Sequence, residues 1–119
     1  MNNIKLNGPF ELCEKEINSV IPAGIIGNYL LGYCQIPDDF FNVLYVGHAK
    51  DLNSKLKEHL GYFSKFKYAS VDSLLHAYMN DCMLYHMFTE ESFIINEQHP
   101  VAPLDSKWTC PFCGRNGHN

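Results

Sequence analysis

Two strand-like segments joined by a turn, and followed at once by a helix, restrict the fold of this chain more than any other feature. Residues 25–35 and 41–47 are apolar and aromatic, rich in Val, Leu, Phe and Tyr. Such residues favour a half-buried pleated surface, and Pro37-Asp38-Asp39 between them is turn chemistry, so the pair reads as a β-hairpin. Downstream, Leu52, Leu56 and Leu60 recur at four-residue steps. Asp51 stands at a helix N-cap position, and Gly61 stands where a C′ glycine would end that helix. In this frame Lys55 and His59 are an i, i+4 pair. They share a face offset from the leucine stripe, where a ligand can reach them.

The rest of the chain is consistent with a small α+β domain. Phe66-Lys67-Tyr68-Ala69-Ser70 alternates as a third strand, and Leu74, Leu75, Tyr78, Cys82 and Tyr85 follow helical spacing from about Asp72 to Phe88. A second short helix is expected around Glu90 to Ile95. Residues 1–24 read as an N-terminal extension with a loop at Gly8-Pro9, a short helix around Glu11 to Val20 and a stop at Ile21-Pro22-Ala23-Gly24. From Glu97 the prolines at 100, 103 and 111 argue against regular structure. The expected architecture is a three-stranded antiparallel sheet flanked by helices over 25–100, with a tail over 101–119, in one domain of 119 residues. No segment resembles a signal peptide or a membrane span, so a cytoplasmic protein with no membrane partner is expected.

A net charge of −4 argues against a protein that coats nucleic acid over its whole surface. The charge is uneven, however. Lys50, Lys55, Lys57, Lys65 and Lys67 lie in one stretch opposed only by Asp51 and Glu58, while the other acids gather near the start, in the turn and late in the chain. This stretch is either a local grip on phosphates or a solvated basic face. Lys50, Lys65, Lys67 and His48, at the mouth of the hairpin, are the candidate backbone-phosphate contacts.

Five cysteines, two of them in Cys110-Pro111-Phe112-Cys113, point to metal binding before disulfides in a reducing compartment. Cys82 and His86 sit at i, i+4 on the long helix and project together. With Cys110 and Cys113 they make four ligands of the type and number of a closed tetrahedral zinc site. Such an ion would order a proline-rich tail that buries little of its own. His118, with four residues between it and Cys113, is a rival fourth ligand. The alternative is two core side chains beside an unrelated Cys-x-x-Cys.

Gly27-Asn28-Tyr29, then Tyr45-Val46-Gly47-His48-Ala49-Lys50-Asp51-Leu52, then Lys55, His59, Asp81 and Asn96 follow the order of motifs in the GIY-YIG nucleases, which residues 24–100 resemble. The late segments Asp81–His86, Asn96–Pro100 and Trp108–Gly114 resemble a bacterial subgroup that closes on a CPxC knuckle. The resemblance implies an endonuclease acting on DNA phosphodiesters. Tyr29 and Tyr45 would orient and activate the nucleophile, Lys55 would stabilise phosphate charge and His59 would assist. Asp81 would hold Mg²⁺ or Mn²⁺, and Asn96 would complete the site. Lys55 stands where the family has Arg, and Asp81 where it has Glu. Both keep the charge and lose geometry: Lys is a point charge rather than a planar fork, and Asp is one methylene shorter. The chain has a single arginine, Arg115, so a bias against Arg accounts for Lys55 but not for Asp81. The alternative is a catalytically degenerate module that binds nucleic acid or protein. The resemblance also implies that a small domain of this type, without a separate DNA-binding module, gains specificity from a protein partner or from self-association.

Overall fold

A computed structural model describes residues 4–36, 38–91 and 94–118. Among the described residues, strands β1 (Asn7–Glu11), β2 (Gly27–Gln35), β3 (Phe40–Ala49) and β4 (Lys65–Ser70) form one antiparallel sheet in the order β1-β4-β2-β3. Helices α1 (Glu14–Val20), α2 (Leu52–Lys57) and α3 (Leu74–Glu91) complete the α+β fold. No helix among these residues is long and apolar enough to cross a membrane.

The sheet has one strand more than expected. Residues 7–11, expected as part of an extension, form the edge strand β1 against β4, with a register shift between Asn7 and Phe10. Local propensity at Gly8-Pro9 argued for a loop. Burial overrides it, because Phe10 packs on Phe66 and Tyr68 at ring distances of 5.5 and 6.0 Å. Leu12, Ile17 and Ile21 then enter the main core beside Tyr29, Leu31, Leu52, Leu56 and Phe66.

Strand alternation divides the sheet into two faces. Tyr29, Leu31, Phe66 and Tyr68 pack on the face covered by α1 and α2. Leu30 and Val46 pack on the opposite face with Leu84 of α3. Asn28, fully buried, donates to the Ala77 carbonyl at 2.8 Å and so docks α3 on that second face. The middle residue of the first motif therefore has a structural task.

Helix α2 is shorter than its leucine spacing predicts. Asp51 caps it by accepting from the Ser54 amide, as expected. The α-helix ends at Lys57, and residues beyond it continue through i→i+3 bonds from His59 to Leu56 and from Tyr62 to His59. Leu60 still reaches the core edge. The short helix expected around Glu90 to Ile95 includes Ser92 and Phe93, outside the described residues, as is Pro37 of the turn. Helix α3 runs to Glu91, and Ile95 donates to the Leu44 carbonyl on the free edge of β3 at 2.6 Å.

Candidate active cleft and metal centre

Tyr29 and Tyr45 come together because β2 and β3 pair with Tyr29 opposite Gly47 and Leu31 opposite Tyr45. The two phenols thus lie diagonally on one face, stacked at 6.2 Å. Gly47 makes this possible, since a Cβ there would sit 2.5 Å from the Tyr29 ring. A cleft of about 240 Å³ runs past this glycine, lined by Tyr29, Tyr45 and Lys55 and by His48, Asp81 and Asn96.

Each group in the cleft is tuned by its surroundings. Burial, the neighbouring Tyr45 and the Asp81 charge together raise the Tyr29 phenol far above its usual range. Tyr45 is raised by burial and by Asp81, with Lys55 opposing. His59 does not line the cleft, but its Nε2 lies 3.3 Å from the Tyr29 hydroxyl, and burial followed by the Lys55 charge lowers its pKa. A neutral imidazole there can accept the phenol's proton. Lys55 reaches the cleft while its Nζ pairs with Glu58 at 3.2 Å. It is half-exposed.

Asp81, on α3, is buried, and burial raises its pKa against the opposing His48. His48 Nδ1 donates to Asp81 Oδ2 at 2.6 Å, with the imidazole set edge-on to the Tyr78 ring at 6.0 Å. Asp81 Oδ1 has no hydrogen-bond partner. A buried carboxylate oxygen left unpaired is costly unless a cation or a water completes it. This atom is the one observation in the cleft that calls for a ligand.

The structure assigns different work to several residues singled out from the sequence. Asn96 spends its carboxamide on the backbone of one residue: Oδ1 accepts from the Val46 amide at 3.0 Å, and Nδ2 donates to the Val46 carbonyl at 2.8 Å. It clips the segment after α3 onto the β3 edge. Lys65 and Lys67 alternate with Phe66 and Tyr68 and so face away from the phenols, and Lys67 lies over the Phe41 ring at 5.1 Å. They and the exposed Lys50 are not among the residues lining the cleft. Of the candidate phosphate contacts, only His48 reaches it.

The tail holds a second constellation. His86, His99, Cys110 and Cys113 offer ligand atoms all within 4.8 Å of one another, and the group can hold a metal ion. Its details fit a metal with nitrogen and sulfur ligands. The His86 Nε2 is buried without a hydrogen-bond partner. His99 Nδ1 donates to the Pro100 carbonyl at 2.9 Å, which leaves Nε2 as the lone-pair nitrogen, 3.4 Å from the Cys113 sulfur. The Phe112 amide lies 3.3 Å from the Cys110 sulfur. A hydrogen bond from Arg115 lowers the Cys113 thiol to about 7, favouring the thiolate that ligation needs.

His99 takes the place expected for Cys82. The two residues Cys82 and His86 do share a helix face, but Cys82 is one turn nearer the N-terminus of α3, buried with Tyr78, Ala102 and Cys110. Burial pushes its thiol up to about 12. His118 is not a member of the group either, since its Nε2 donates to the Ala102 carbonyl at 2.6 Å. The sequence signal for His99 was a histidine beside Pro100 in the irregular stretch between α3 and the knuckle, with nothing local to show that the loop folds back.

No protein-family model matches the chain, and no curated protein or solved structure is detectably similar to it.

Proposed function

We propose that the protein is a metal-dependent phosphodiesterase of the GIY-YIG type, acting on DNA. What carries this reading is the cleft at Gly47, lined by two phenols, an ammonium and the carboxylate of Asp81, whose Oδ1 is buried and unpaired. Asp81 Oδ1 is the atom to which a hard divalent ion, Mg²⁺ or Mn²⁺, would bind. Such an ion supplies charge neutralisation at a scissile phosphate when bound. Lys55 adds a second positive charge at the same phosphate. Tyr29, with its raised pKa, is a poor base alone, so it acts by relay: its hydroxyl orients the attacking water and passes a proton to His59 Nε2. Tyr45 stacks on Tyr29 and holds it in place. Asn96 positions the cleft wall rather than touching substrate. In the tail, the chemistry of a His₂Cys₂ set favours structural zinc.

The test is strand scission of linear and branched DNA during a Mn²⁺ titration. Tyr29→Phe and Asp81→Ala are each expected to lower the rate by at least about 100-fold, the scale of a lost general-base contribution. Full activity in either variant removes the mechanism. One observation favours a second reading, a binding module without catalysis: His48 already occupies Asp81 Oδ2. That reading expects salt-sensitive DNA binding without product, and gain of divalent-ion affinity in Asp81→Glu.

A further inference from the structure

The metal-capable centre and the cleft share a stretch of chain. Residues 98–101 line the cleft, and within them His99 also belongs to the His₂Cys₂ group. Its imidazole packs edge-on against Tyr85 and His86 of α3, at 5.4 and 5.3 Å. Just before it, Ile95 and Asn96 bind the open edge of β3.

After the knuckle the chain turns back over the same stretch. The Cys110 amide donates to the Arg115 carbonyl at 2.6 Å, and the Ala102 amide to the Asn116 carbonyl at 2.8 Å. A Cβ on Gly117 would collide with the Pro100 carbonyl and Val101. Residues 100–102 are therefore clasped between the cleft and a tail that the knuckle closes. Outside these bonds the segment has no ladder, and Pro100 and Pro103 deny it two amide donors.

We propose that the His86–His99–Cys110–Cys113 centre is an assembly element of the cleft, with His99 as the positioning residue. A thiophilic divalent ion bound there joins the 96–101 wall to α3 through His86 and to the tail through two thiolates. Loss of the ion frees the wall from β3 while the sheet persists, because the main core lies on the far side of the sheet and contains no residue of the centre. This makes the cleft conditional on the state of the metal site, whatever chemistry the cleft performs.

The test uses the full chain and does not depend on cleavage. The protein is stripped with a chelator under reducing conditions, then titrated with Co²⁺, whose absorption reports four-coordinate thiolate ligation. Backbone amide exchange is followed at each step. In the stripped chain the Val46 and Ile95 amides should exchange at least about tenfold faster, while the β2–β4 ladder keeps its protection. Protection at Val46 and Ile95 should return in step with the cobalt band. His99→Ala should remain in the stripped pattern with the ion present. The inference is overturned if Val46 and Ile95 are unchanged by stripping, if protection falls uniformly across the sheet, or if it stays lost at full cobalt loading. Should His99→Ala fail to fold, the wild-type titration decides alone.

Discussion

His59 shows how two neighbours set one side chain's chemistry. Burial and the Lys55 ammonium both disfavour its charged form, and Glu58 only partly offsets them. The folded pKa lies below the ordinary 6.5, so the native state binds fewer protons than the unfolded chain. Its contribution to stability is therefore complete above pH 6.5 and declines as pH falls from there through the folded value. Removing the charge in Lys55→Gln should raise the His59 pKa toward 6.5 and weaken that decline. Proton NMR of the imidazole across pH 4–8 (about the span of a histidine titration) measures both, and an unmoved pKa would show that burial alone sets it. Gly47 is the other residue on which the cleft depends. It stood in the sequence only as part of a motif string, and what it does there, leaving room for the Tyr29 ring, needed the strand register.

At the scale of elements, the decisive join is between the segment after α3 and the β3 edge. Asn96 reproduces there the donor and acceptor of a strand partner, so a single side chain caps an exposed edge. Asn96→Asp keeps the shape and the acceptor but sets a carboxylate against the Val46 carbonyl. It should destabilise the protein by about 1–3 kcal/mol in denaturant unfolding, more than the loss of one ordinary hydrogen bond. Equal stability in the two proteins would mean that the clip is idle. The hairpin, α2 and α3 could all be anticipated, since their patterns are local: strand-like runs about a turn, leucines at helical steps, an aspartate cap. The edge strand β1 could not, because its stability comes from Phe66 and Tyr68 more than fifty residues away.

For the whole molecule, the tail is clasped by backbone bonds around a group that can hold a metal ion, with little core of its own. Around the centre the described residues bury Tyr78, Cys82, Ala102 and Cys110, a small cluster beside the main one. Chelation should therefore lower the melting temperature, and elemental analysis of the native protein should find about one zinc per chain, as a single closed four-ligand site requires. A chelator-insensitive melting temperature would leave the tail's order to packing alone.

The residues alone were enough to specify the class of fold, the hairpin and helix that present Tyr29, Tyr45 and Lys55, and three of the four members of the metal-capable group. These are read from patterns that repeat over a few residues, where covalent geometry ties spacing to direction. The fourth strand, the His48–Asp81 contact, the Asn96 clip and the choice of His99 over Cys82 came only with the folded chain. The first three join segments between 33 and 61 residues apart, and His99 reaches its fellow members across 11 to 14 residues, through burial and loop return that no local period encodes.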